Sequence, residues 1–303
     1  MRDLFSKILL TMSAAFLCCA SFSATASLQV FACEPEWASL ASEIAGDKVK
    51  TFSATHARQN PHYIKARPSL MSKVRRADII ICSGADLEVG WLPLLLERAS
   101  VGVQPGSPGN LMAYQYVPLI EIPTVIDRSM GDVHPDGNPH VHLDPQNLLL
   151  VGKELSNRLT LIDPGNAQFY QKRYDAFESR LSQAIIRWRE EGKDLRGMQI
   201  ITNHKSLSYL IKFFGLEEVA SLEPRPGLPP TASHLKKVLN QVESQNVRAI
   251  LRAPYESDKG AKWISAKRGI PDLVVPYTVG GDSESGDIFA LFDRSLELLN
   301  SVR

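Results

Sequence analysis

Apolar positions along this chain follow two alternating patterns. Short runs of aliphatic and β-branched residues are separated by longer stretches in which apolar residues return every third or fourth place, the periods of buried strands and amphipathic helices. LQVFAC (28–33) predicts a strand, EWASLASEIA (36–45) a helix closed by Gly46, and KVKTFSA (48–54) a second strand. RPSLMSKVRRA predicts a helix with Pro68 in its first turn, DIIICSG a third strand, and GWLPLLLERA another helix. After the loop-rich VQPGSPGN, a fourth strand is expected around YVPLIEI (116–122), followed by a polar, turn-rich segment from Asp127 to Pro139.

From Pro145 to Glu191 the period is helical almost throughout, broken at Asp163-Pro164-Gly165. Phe169, Tyr170, Tyr174, Phe177, Leu181, Ile185 and Trp188 form one stripe on the longest helical run, which reads as packing surface. A helix of some 25 residues spans roughly 37 Å, enough to run past two domains. Strand and helix then alternate again: GMQIITN, KSLSYLIKFFG, EEVASLE, PPTASHLKKVLNQVESQ, VRAILRA, DKGAKWISAKRG, PDLVVPY and DIFALFDRSLELLN. The fold class predicted is α/β, with two parallel-sheet lobes joined by one long helix and a cleft between them. The expected boundaries are an N-terminal lobe at 27–138, a linking helical segment at 139–192 and a C-terminal lobe at 193–303. No convincing internal sequence repeat is visible.

The first 26 residues change the expected location. Arg2 and Lys7 precede an apolar run from Ile8 to Ala20, and small residues lead to Ala24-Thr25-Ala26, the pattern of a cleaved secretory signal. About 13 apolar residues fall short of the roughly 20 that span a bilayer, which argues against a retained anchor. Cys18 and Cys19 lie within the run without a good lipobox before them, so a lipid anchor is the lesser reading. Removing Arg2, Lys7 and Asp3 takes 34 basic and 33 acidic residues to 32 of each. A neutral chain without a basic run is a poor partner for nucleic acid.

Two cysteines, Cys33 and Cys82, remain after cleavage. In an oxidising compartment an even pair favours a disulfide. Each follows a strand-like run, so neighbouring strands would bring them within bridging distance. A pair of thiolate metal ligands is the rival reading.

Candidate chemistry rests on three of the seven histidines: His62 in QNPHYIKARPSL, His140 in GNPHVHLDPQN and His204 in IITNHKSLSYL. Each sits where an extended segment turns toward a helix, beside turn-forming asparagine and, for two of them, proline. Strand carboxyl ends in an open α/β sheet converge on one crevice, where residues distant in sequence meet. Three imidazoles held on stiff backbone, with an acidic fourth ligand, suit a tetrahedral Zn²⁺ site.

NPHYIKARPS, GADLEVGWLP, NPHVHLDP, NHKSLSYLIKFFGL and LEPRPGLPPTASHL together resemble, in family order, the periplasmic zinc- and manganese-binding receptors of ABC importers. CEPEWASLA and PYTVGGD place the resemblance nearest a zinc branch. It implies that His62, His140 and His204 bind the metal, that the chain captures Zn²⁺ (with Mn²⁺ less favoured) in the periplasm, and that a membrane permease is its partner. A periplasmic metallochaperone is a further candidate partner, and a monomer is expected. The chain is then a receptor and not an enzyme.

The fourth ligand departs from the family. An aspartate in a DPLG-like stretch is usual there, whereas this chain reads PYTVGG (276–281) with no carboxylate before Asp282. Glu223, at the end of the strand after the His204 helix, is the leading candidate, with Asp282, Glu256 and a water behind it. His142 stands where the family often has an aromatic residue and is expected behind the site or in packing. His134, in GDVHPDGNPH, lies in a loop that takes the place of a longer histidine-rich one; an ordinary solvated loop is the first reading, and handing metal to the site the second. His56 is assigned to a loop and His234 to the surface. A secreted zinc hydrolase is disfavoured because there is no HExxH motif, and a surface adhesin on the same fold is a minor alternative.

Overall fold

The computed structural model describes residues 27–125 and 131–303. The signal sequence expected at 1–26 lies outside them. Among the described residues no helix is long and apolar enough to cross a membrane.

Two four-stranded parallel sheets form the frame. In the first, β1 (Leu28–Ala32), β2 (Val49–Ser53), β3 (Ile79–Cys82) and β4 (Asn110–Met112) take the order β2-β1-β3-β4. In the second, β5 (Gln199–Thr202), β6 (Glu217–Ser221), β7 (Ala249–Arg252) and β8 (Asp272–Val274) take the order β6-β5-β7-β8. The two orders are the same topology repeated. Each reverses direction beside its first strand, which opens a crevice at the strand carboxyl ends.

The fourth strand corrects the sequence expectation. It forms at Asn110–Met112, pairing Ile80 with Asn110 and Cys82 with Met112, while residues 117–122 carry no strand. Pro118 lacks the N–H that a ladder needs. The earlier segment is also held at the edge by Arg158, whose guanidinium donates to the carbonyls of Ser107, Pro108 and Asn110 at 3.2, 3.0 and 2.7 Å. Val117, Leu119 and Ile120 use their apolar surface against the core instead.

After the helices α1 (Pro35–Ala45), α2 (Pro68–Val74) and α3 (Leu92–Leu96) of the first lobe, α4 (Pro145–Ile162) and the 25-residue α5 (Ala167–Glu191) run between the sheets. The stripe on α5 is buried at Tyr170, Tyr174, Phe177, Leu181, Ile185 and Trp188. Its surroundings form one core containing Val30 and Ile79 of the first sheet together with Ile200 and Leu251 of the second. Burying each large apolar side chain contributes about 1.5–3 kcal/mol. Sliding one lobe past the other would disturb this shared packing, so the long helix holds the crevice at a set width.

Cys33 and Cys82 form a disulfide, with Cα atoms 4.8 Å apart. Parallel pairing of Ala32 with Ile81 puts the two cysteines at the next rung of the β1–β3 ladder. The thiolate-ligand reading is thereby set aside.

Candidate metal centre

Two of the three histidines are built by one local device. In Asn60-Pro61-His62, the Asn60 Oδ1 accepts the His62 amide at 3.0 Å. In Asn138-Pro139-His140, the Asn138 Oδ1 accepts the His140 amide at 2.9 Å. An asparagine side chain closing a turn on the amide two residues ahead, with proline fixing φ between them, sets the direction of the imidazole. The buried Trp91 reinforces the first turn, its indole N–H donating to the Pro61 carbonyl at 2.9 Å. Asn138 ties the second to the C-terminal lobe through its Nδ2, which donates to the Lys205 carbonyl at 2.9 Å. His204 directly follows β5 and Asn203, whose N–H donates to the Leu251 carbonyl at 2.9 Å.

His62, His140 and His204 meet with a nitrogen of each within 4.8 Å of the others. All three use Nδ1 outward. His62 Nδ1 bonds Asn60 Oδ1 at 2.8 Å, His140 Nδ1 bonds the Tyr277 hydroxyl at 2.8 Å, and His204 Nδ1 bonds Glu223 Oε2 at 2.7 Å. That leaves the Nε2 atoms of His140 and His204 for the crevice, while His62 Nε2 meets a further imidazole there. Anchoring one ring nitrogen to an acceptor fixes the tautomer and the ring plane, the arrangement that metal-binding histidines use.

Charge follows the same design. Burial, then repulsion from the charge that His134 and His204 carry when protonated, holds the His62 pKa well below the usual imidazole range. Burial followed by its histidine neighbours does the same to His140. Both therefore stand neutral near pH 7, with lone pairs available to a cation. At His204 burial pulls downward, but the Glu223 hydrogen bond and charge outweigh it and raise the pKa.

Glu223, expected as the fourth ligand, is placed at the site as the acceptor behind His204, and its Oε2 also accepts the Gly227 amide at 2.8 Å. Asp282 lies elsewhere, paired with Arg294 at 2.8 Å. Glu256 lines a cavity of about 550 Å³ with His204 and Glu223, while its carboxylate accepts Ser206 Oγ and the Ala253 amide. His142 is buried away from the trio, its Nε2 bonding the Tyr277 carbonyl at 2.8 Å and its Nδ1 lying 3.0 Å from Glu36. His56 is exposed, and His234, expected at the surface, is half-buried with Nε2 on the Ser221 carbonyl at 3.0 Å. His134, expected in the loop before His140, has its Nε2 3.1 Å from His62 Nε2.

Residues 30–302 match the model of the family described as zinc-uptake complex component A, periplasmic. This chain belongs to that family, the ZnuA family. It is a substrate-binding component of a metal ABC importer, which works outside the cytoplasm with a membrane permease as partner, and the family is one of receptors and not enzymes. Among curated relatives, the metal ABC transporter substrate-binding lipoprotein SloC of Streptococcus mutans is 23% identical over 289 residues, covering 93% of this chain and 92% of that protein. The manganese ABC transporter substrate-binding lipoprotein PsaA of Streptococcus pneumoniae is 23% identical over 276 residues, covering 89% and 86%. In fold, the chain is similar to crystalline ZnuA, with a TM-score of 0.75 at 18% identity over 90% of this chain and 98% of that one. It is also similar to FpvC of Pseudomonas aeruginosa in complex with Mn²⁺, with a TM-score of 0.73 at 22% identity over 90% and 99%.

Behind this ZnuA-family site lies a second, buried acidic group. Glu34 is pushed well above the carboxylate range by burial, then by the charges of Glu88 and Glu36. Glu88, which accepts the Ser83 and Gly84 amides, is pushed up to about 7, chiefly by burial. The folded state thus holds protons that the unfolded chain releases near pH 4.5. Stability conferred by these protons is present below that pH and is lost as pH rises toward 7. In paired thermal melts of the metal-free protein, the melting temperature of Glu34→Gln relative to wild type should rise steadily between pH 5 and pH 8. A difference independent of pH would contradict the assignment.

Proposed function

We propose that this chain is a periplasmic zinc receptor, exported through its N-terminal signal sequence, which captures Zn²⁺ as a monomer at His62, His140 and His204 and delivers it to the permease. The carrying observation is the convergence of three imidazoles whose outward nitrogens are each held by a partner. Zn²⁺ has no geometric preference from its d electrons, accepts tetrahedral nitrogen ligands at about 2.0–2.1 Å and suits a preset trio of this kind. Mn²⁺ favours carboxylate, carbonyl and water oxygen. Here the carboxylate nearest His204 is engaged on its Nδ1 and on a backbone amide. In this reading Glu223 serves as the orienting acceptor of a carboxylate–histidine–metal triad.

Manganese is the second reading because a relative bears that name and a structural neighbour contains that ion. Element analysis of protein purified without added metal, followed by calorimetric competition between the two ions, separates them. One equivalent of zinc, not displaced by excess manganese, is the expected result. Retained manganese with weak zinc binding would overturn the zinc assignment and leave the family intact.

A further inference from the structure

We propose that His134 supplies a fourth imidazole directly to the metal, so that the cargo is bound by four histidines and the 131–137 loop is part of the site. This inference rests on the receptor reading above. In a tetrahedral zinc site with ligands at 2.0–2.1 Å, neighbouring nitrogens lie about 3.3–3.4 Å apart. The 3.1 Å between His62 Nε2 and His134 Nε2 is close to that edge. With His62 Nδ1–H donating to Asn60 Oδ1, its Nε2 carries the lone pair and faces His134 Nε2. A cation between the two rings would take a lone pair from each Nε2, with the His134 proton carried on its Nδ1. His134 also lines a cavity of about 340 Å³ together with His140, His204 and Asp132.

Both lobes hold the loop in place. From the N-terminal side, the Tyr63 hydroxyl donates to Asp132 Oδ2 at 2.6 Å. From the C-terminal side, the Pro226 carbonyl accepts the Asp132 amide at 2.8 Å. The approach is so close that glycine is required on each surface. A Cβ at Gly131, with φ +83°, would lie 2.2 Å from the Pro226 oxygen, and one at Gly227, with φ +77°, would lie 2.1 Å from Asp132 Oδ2. The segment is thus fitted against the two lobes at the point where it delivers His134 to His62.

X-ray absorption at the zinc edge counts imidazoles through their multiple scattering and tests the proposal on the purified zinc-loaded protein. Four imidazoles are expected in wild type, falling to three plus oxygen in His134→Ala, with zinc affinity weakened on the order of 10- to 100-fold. Tyr63→Phe, which releases the loop without touching a ring, should lower the mean imidazole count below four. Three imidazoles in wild type, unchanged in His134→Ala, would overturn the fourth-ligand assignment and leave the receptor reading standing. A wild-type protein that retains no zinc would remove both.

Discussion

His140→Ala should lower zinc affinity by about 10²- to 10³-fold, measured by competition against a chromophoric chelator. Apparent zinc binding in small structural sites contributes roughly 10–16 kcal/mol near pH 7, so one ligand of four carries on the order of 2.5–4 kcal/mol. His140 is the member with least freedom to be replaced by solvent. It is 1% exposed, its amide is fixed by Asn138 and its Nδ1 by Tyr277. Burial keeps it neutral, so little of the effect reflects loss of a charge. Tyr277→Phe provides the comparison. The ring stays in place without its outward acceptor, and affinity should fall on the order of 10-fold, the lower end of what orienting partners contribute. Wild-type affinity in His140→Ala would remove this imidazole from the ligand set.

The alternation of strands and helices was legible because each element carries its own period. The stripe on α5 shows it well, since Tyr170, Tyr174, Phe177, Leu181, Ile185 and Trp188 are buried together. Likewise, Asn-Pro-His is a local signal: the asparagine, the fixed φ and the imidazole lie within three residues, and the Asx turn forms at both copies. β4 was misplaced because three residues are too few to carry a period, and their register depends on Arg158, some fifty positions away. The apolar YVPLIEI run drew the assignment although Pro118 makes it a poor ladder strand.

Long-range pairing explains the other differences. Glu223 bonds His204 Nδ1, and which atom it faces depends on how β5 and β6 are joined. The bulge between Ile200 and Ile201 shifts that register, and no sequence spacing records it. His134 was read as a loop residue, solvated or able to hand metal to the site, because its loop is polar and turn-rich. Its meeting with His62 depends on Tyr63 and Pro226, one on each side of the loop in space. The duplicated sheet order was also hidden, since topology is preserved by core packing that many apolar sequences satisfy.

Loss of the Cys33–Cys82 bond should produce the largest change in stability. The bond closes a sequence separation of 49 residues. On the chain-entropy model, a loop of about fifty residues corresponds to about 4 kcal/mol of stabilisation, acting through the unfolded state. For roughly 280 ordered residues, with about 2.1 cal/mol/K of unfolding entropy each, this is a fall of about 7 °C in melting temperature for the Cys33→Ala, Cys82→Ala double variant. Both cysteines are fully buried in a cluster with Phe31, Leu70 and Trp91, so the lost sulfurs also leave unfilled volume. The consequence extends to the site, because Trp91 holds Pro61 beside His62, while Glu34 and Ser83 directly follow the two cysteines. The variant should therefore bind zinc more weakly as well as melt earlier, whereas a bond acting on the unfolded chain alone would leave affinity unchanged. Scanning calorimetry of the metal-free double variant separates the two contributions from ligand linkage, and a melting temperature equal to wild type would rule out the stabilising role.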